Sequence, residues 1–280
     1  MSKKKTLQEL TIKDNFMFGA VMVDEANCRP FLERVLRFPI AKIEVHKEQS
    51  IIFHPEYKGV RLDIYAKDDK NTHYNVEMQA VRKSFIGKRS RYYHGQIDME
   101  LLLSGQPYEK LPNTYVIFVC DFDPFGQKKY LYTFERICKE TEKAKLKDGS
   151  TTIFLSTQGE NRNEVSIELV KFLDFVRSDL AGSTNDFEDE FISQLQRSVQ
   201  RVKVSREMEG RYMLFKDVLR EERQEGRAEM VLEVLQDVGS VPEEICERIL
   251  MEKDLTVLKR WNRLAVNADT VEQFIQEMKA

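Results

Sequence analysis

The chain has 280 residues, enough for one well-buried core and a smaller second unit. Hydrophobic residues make up 41% and charged residues 32%, the composition of a charge-rich globular protein. A formal net charge of -3 excludes a global basic field, so any nucleic-acid partner must be argued from local clusters. The start, MSKKKTLQEL, is basic but has no apolar stretch behind it, which argues against a secretory signal. The longest strongly apolar run, Tyr115 to Cys120, is strand-sized and too short to span a bilayer. Cys28, Cys120, Cys138 and Cys246 lie far apart without a C-x-x-C pair, as expected of reduced thiols in a cytoplasmic protein. His46, His54, His73 and His94 are scattered, and no zinc-binding spacing occurs.

Two helices are expected first. Thr11-x-x-Asp14 is a helix start before NFMFGAVM, and CRPFLERVLRF continues with Phe31, Val35 and Phe38 at helical spacing. Ala41 to Glu48 and Ser50 to His54 read as extended. Gly59 to Lys67 and His73 to Val81 then alternate with period 2 around the turn-rich DDKNT, where Asp68 and Asp69 read as turn formers. A helix follows over about Lys88 to Ser104, with Tyr93, Ile97 and Leu101 on one face. TYVIFVCDF is a continuous apolar run, as in a strand buried on both faces. KYLYTFERIC and TTIFLS supply two more strands, and Ile167 to Arg177 a helix. The small, polar and acidic stretch LAGSTNDFED suggests a boundary near residue 183. The expected division is a domain over 1–183 and a helical region over 184–280, in which Met208 to Asp237 is dense in charge. Such a charge run reads as a solvated arm or as a surface through which copies of the chain could associate.

The chemistry is concentrated in GVRLDIYAKDDKNTHYNVEMQAV. Alternation sets Arg61, Asp63 and Tyr65 on one face of the first strand, and Asn75, Glu77 and Gln79 on one face of the second. Paired as a hairpin, the strands can bring Asp63 and Glu77 together. With a nearby backbone carbonyl, that of Met78, they form an oxygen-rich nest suited to Mg²⁺, and similarly to Mn²⁺ or Ca²⁺. Such an ion suits phosphodiester hydrolysis, and the Gln79 amide could orient water or contact phosphate. A merely solvated polar face would show the same periodicity. Downstream, Arg82, Lys83, Lys88, Arg89 and Arg91 form a cluster without an acid, followed by Tyr92 and, one turn on, Gln96. These are expected to position a DNA backbone, the alternative being a solvated loop with Tyr93 in the core.

The order of these elements resembles the PD-(D/E)XK nuclease superfamily, and within it the recombination-promoting nuclease and transposase (Rpn) family. The resemblance rests on LTIKDNFMF, RLDIYA, NVEMQ, RSRYYHGQI and TYVIFVCDFDPFG; it covers about residues 7 to 180 and, more loosely, the tail with LKRWNRLAV. It implies an α/β fold, a restriction-endonuclease-like core (a mixed β-sheet flanked by helices) with an all-helical C-terminal extension, cutting DNA with a divalent metal. Asp63 and Glu77 match the metal-binding acids. Gln79 falls where the superfamily motif has lysine, a variant known in the family, and an amide cannot act as a base. Superfamily members often carry a further acid on the first core helix, for which Glu33 is the candidate; an exposed helix charge is its other reading. A nuclease-like module that binds nucleic acid or a protein without cutting is the competing functional class.

Overall fold

Aspartates start the first two helices, α1 (Asn15–Met22) and α2 (Glu25–Leu36). Asp24 caps α2 by accepting the Ala26 N–H at 3.0 Å, whereas the Asp14 carboxylate accepts the Thr11 N–H of the preceding turn at 2.8 Å. Pro30 lies inside α2 and has no N–H for the Ala26 carbonyl one turn back. The side-chain amide of Gln194 donates to that carbonyl instead, at 2.7 Å. The structure, a computed structural model, describes residues 5–51 and 60–279. The extended stretch expected over 50–54 therefore lies outside the described residues from 52 onward.

Strands β1 (Ile43–Ile51), β2 (Val60–Asp68) and β3 (His73–Gln79) precede helix α3 (Ile86–Leu101). Then come β4 (Thr114–Cys120), β5 (Leu131–Phe134), β6 (Ser150–Ser156), α4 (Ile167–Arg177) and α5 (Glu190–Val204). The strands form one mixed sheet in the order β1-β2-β3-β4-β6-β5. The pairs β1–β2, β2–β3 and β5–β6 are antiparallel, while β3–β4 and β4–β6 are parallel. The connection from β2 to β3 is set by Asp68, whose Oδ1 accepts the N–H groups of Lys70 and Thr72. Its Oδ2 accepts from the Tyr74 hydroxyl at 2.8 Å. Asn71 takes the left-handed conformation that the turn requires.

The centre of the sheet is buried on both faces. Val116, Phe118 and Cys120 of β4 pack with Tyr65, Phe154 and the α3 residues Tyr93 and Ile97, and their alternating neighbours Ile117 and Val119 are equally buried. Rings of Phe118 and Phe154 stack at 5.0 Å. Helix α3 lies on β4, α1 against β2 and β3, and α2 against β1.

The first compact unit does not end near residue 183. It runs to Arg206, because α5 buries Phe191, Ile192, Leu195 and Val202 and packs against α1, α2 and α4. Arg34 forks onto the Asp189 carboxylate at 2.9 and 3.1 Å, adding a bidentate tie. The small polar stretch at 180–189 is thus a connection within the unit. The second unit, 207–280, is helical as expected. It holds all but the first residue of the long helix α6 (Arg206–Val238), with α7 (Glu243–Met251), α8 (Leu255–Asn267) and α9 (Val271–Lys279). Val231, Leu235, Ile249, Leu258, Trp261 and Phe274 make its core. Between Tyr212 and Ala228 no residue of α6 is buried, which is the pattern of a solvated arm.

Candidate active site

Ladder pairing between β2 and β3 reaches from Lys67 opposite His73 to Ile64 opposite Val76. One further step in that register sets Asp63 opposite Glu77, and there the strands exchange carboxylate bonds. The Asp63 N–H donates to Glu77 Oε1 at 3.1 Å, and the Met78 N–H donates to Asp63 Oδ2 at 3.2 Å. Each carboxylate is held by the backbone of the other strand. The polar face of β3 is not solvated: Asn75 is 0% exposed, Glu77 1% and Gln79 4%, and α3 contributes Arg89 and Tyr93 to their cover.

Arg89 anchors the arrangement from α3. Its guanidinium donates to Glu77 Oε2 at 2.8 Å, to Gln79 Oε1 at 3.0 Å and to the Tyr93 hydroxyl at 2.6 Å. It lies 5.0 Å from the centroid of the Tyr93 ring and 5.7 Å from that of Phe118. The Gln79 amide nitrogen donates to the Met78 carbonyl at 3.0 Å. Among the described residues the buried Asn75 amide makes no hydrogen bond, yet it is close enough to Glu77 to favour the ionised form.

Burial, and then the neighbouring Asp63, raise the Glu77 carboxyl above its ordinary 4.5. Arg89, the Asp63 N–H and Asn75 pull the other way without cancelling the rise. A group raised by folding stabilises the folded state fully below its unfolded value and loses that contribution as pH climbs through its folded value. In metal-free protein the melting temperature of wild type should therefore fall relative to that of Glu77→Gln as pH rises from about 4.5. Paired thermal melts across pH measure it, and a pH-independent difference would contradict a raised Glu77. His73 and His94, both lowered to about 4 chiefly by burial, act in the opposite sense but equally in both proteins.

The other expected site residues separate. Among the described residues no group of three or more His, Cys, Asp or Glu side chains gathers, so Glu33 does not join Asp63 and Glu77. Its Oε1 accepts the Ile40 N–H at 2.8 Å, bracing the turn after α2 where Arg37 is left-handed. Gln96 is buried in α3. Arg89 is bound within the site, so the basic cluster is not one continuous phosphate surface; Lys83, Lys88, Arg91 and Tyr92 are its exposed members. Arg82 is exposed but its guanidinium bonds the Asp123 carbonyl. The Asn75 contribution carried no sequence signal beyond its shared face with Glu77. Arg89 and Tyr93, four apart on the helix after E-x-Q, could have been placed by helical periodicity.

Does this donor set fit a divalent cation? Two carboxylates and the Met78 carbonyl, which keeps a second lone pair, are hard oxygen donors. Mg²⁺ is usually held by one or two carboxylates and retains waters, so a pair of acids suffices. Burial raises Glu77 most, and the repulsion from Asp63 that adds to it is what a cation would relieve. The residues fit.

A family model described as PD-(D/E)XK nuclease family transposase matches residues 13–224. The chain belongs to that family. No curated protein and no solved structure matches it. The matched span takes in every strand of the sheet and the whole carboxylate site. The mixed sheet flanked by helices, with its helical C-terminal region, fits the restriction-endonuclease-like architecture expected of a PD-(D/E)XK member. Membership indicates nuclease chemistry in general, and PD-(D/E)XK nucleases generally use divalent metals. Among the described residues no helix is long and apolar enough to cross a membrane.

Proposed function

We propose that the chain is a divalent-metal-dependent DNA endonuclease that hydrolyses phosphodiester bonds. The observation that supports this most directly is the reciprocal bonding of a half-buried Asp63 with a fully buried Glu77 across β2 and β3. A solvated hairpin face needs no such pairing, and holding a second acid against a buried Glu77 is costly unless it serves a cation. Asp63, Glu77 and the Met78 carbonyl would hold Mg²⁺, Mn²⁺ or Ca²⁺. When bound, such an ion lowers the pKa of its water and neutralises charge growing on the phosphate oxygens.

Gln79, at the lysine position of the superfamily motif, can neither take nor give a proton at neutral pH. Its amide instead fixes the Met78 carbonyl and, through Oε1, the Arg89 guanidinium. Arg89 thus brings from α3 a fixed positive charge to the place where the motif lysine would supply one. The exposed Lys83, Lys88, Arg91 and Tyr92 are suited to hold the DNA backbone beside the site.

Incubation of the purified protein with supercoiled plasmid and with RNA, with Mg²⁺ and with excess chelator, tests the reading. The expected result is nicked or linear plasmid only with the ion present. Cutting in chelator would remove the metal mechanism. Binding without cutting under any ion would favour the module without activity, and RNA cleavage alone would redirect the substrate.

A further inference from the structure

Directly after Gln79 the chain leaves β3 through an exposed loop that opens beside the β4 exit. Between them lies a cleft of about 350 Å³, walled by Phe85, Ile86, Phe122 and Pro124 and rimmed by Arg82 and Lys83. That volume falls within the lower range of small-molecule sites. Arg82 ties the walls together: its guanidinium bonds the Asp123 carbonyl and lies 5.2 Å from the Phe122 ring centroid. The cleft opens at the carboxyl ends of two parallel strands, the usual position of ligand sites in sheets of this kind.

Phe85 is the unusual residue here. It is 74% exposed, and its backbone has φ +60°, a conformation that aromatic residues rarely adopt. An exposed aromatic ring held in a disfavoured backbone contributes nothing to the core, and such outliers cluster at ligand clamps. Along its own segment, residues 82–91 hold five basic side chains and no acid, although Arg89 is engaged by Glu77 and Asp123 stands between the wall residues Phe122 and Pro124. The Lys88 ammonium sits 5.3 Å from the Phe85 ring centroid. Lys88 covers one face of the ring, which leaves the other for a base; aromatic rings accompanied by cations are the means by which proteins hold unpaired nucleotides, the ring stacking on a base while cations meet the phosphates. An acidic peptide would match the charge but not the planar platform.

We propose that this cleft receives an unpaired nucleobase of the substrate, stacked on Phe85, with Lys83 and Lys88 against the flanking phosphates. The inference rests on the nuclease reading and deepens it. The preferred substrate is then DNA with a single-stranded, gapped or flipped-out nucleotide beside the carboxylate site, in place of undistorted duplex.

The test measures binding of the full-length protein to oligonucleotides carrying a fluorescent base analogue, in chelator so that nothing is cut. Single-stranded, gapped and perfectly paired versions are compared for wild type, Phe85→Ala, Phe85→Asn and Phe85→Tyr. Asn tolerates the left-handed backbone while removing the ring, and Tyr keeps a stacking surface. Loss of one base–aromatic stack should weaken single-stranded and gapped binding at least about fivefold in the Ala and Asn variants, with the Tyr variant near wild type. Perfect duplex should be bound almost equally by all four. Unchanged single-stranded binding in the Ala and Asn variants, or an equal loss on perfect duplex, would overturn the proposal. If wild type still cuts plasmid with Mg²⁺ in that event, the nuclease reading stands alone. Should wild type bind none of the three DNAs, the proposal falls, and if it also cuts no plasmid with Mg²⁺ both readings fall together.

Discussion

Asp63→Asn should abolish the stabilisation that Mn²⁺ gives the wild-type protein, while leaving the metal-free melting temperature unchanged or slightly higher. The two halves of this expectation have separate causes. In the metal-free protein Asp63 faces a buried Glu77 whose carboxyl it pushes upward, so removing its charge relieves repulsion. The repulsion is bounded at roughly 4 kcal/mol for charges about 4 Å apart at an effective dielectric near 20, and the nearby Arg89 reduces it. The near-isosteric Asn keeps an oxygen to accept the Met78 N–H, so the cross-strand contact survives. With the ion present, mass action raises wild-type stability by about 2.7 kcal/mol at a hundredfold excess over the dissociation constant, and the variant has lost a ligand. DNA cleavage should fall in parallel by at least about a hundredfold, since loss of the ion forfeits several kcal/mol of transition-state stabilisation. Melts with and without Mn²⁺, alongside plasmid cleavage, separate the alternatives. A full Mn²⁺ shift in Asp63→Asn would exclude Asp63 as a ligand.

The second large effect concerns the limit of the first unit. A fragment ending at Arg206 should unfold cooperatively, whereas one ending at Ser183 should fail to fold. Cutting at 183 removes α5 and with it Phe191, Ile192, Leu195 and Val202, all buried. At about 1.5–3 kcal/mol for each buried side chain, the loss is of the same order as the whole net stability of a typical domain, about 5–15 kcal/mol. The cut also strands polar groups. Arg34 loses the Asp189 carboxylate, and Asn27 loses the Ser198 hydroxyl at 3.1 Å and the Gln194 amide at 2.9 Å. Ala26 keeps a carbonyl that Pro30 cannot satisfy. Circular dichroism melts of both fragments decide it; a cooperative transition in the shorter one would show that α5 is an accessory to the core.

Local patterns in the chain reported the elements well because each pattern is the direct imprint of a local geometry. Period-2 alternation around DDKNT specified the hairpin and the shared face of Asp63 and Glu77. The unbroken apolar run at 114–120 specified a strand covered on both sides, and a helix was expected and found over Ile167–Arg177. Asp14 and Asp68 announced a helix start and a turn by their side-chain chemistry. None of these signals depends on distant residues.

What the tertiary structure decided is what covers each face and what partners each charge. Alternation says that Asn75, Glu77 and Gln79 point the same way, but only the tertiary fold, with Arg89 and Tyr93 of α3 over Glu77 and Gln79, buries them, and a buried acid behaves unlike a solvated one. Arg89 belongs by composition to a basic cluster. Its position across from β3 makes it a partner of Glu77 and Gln79 instead. Glu33 has the residue type and helix expected of a ligand, yet the bend after α2 brings the Ile40 N–H to its carboxylate. The acidic stretch at 180–189 has the composition of a linker, and only the apolar face of α5 folding back on α1, α2 and α4 makes it internal. Composition and period are properties of neighbouring residues. Burial, charge pairing and domain limits are set by contacts between residues far apart in the chain, which no local pattern records.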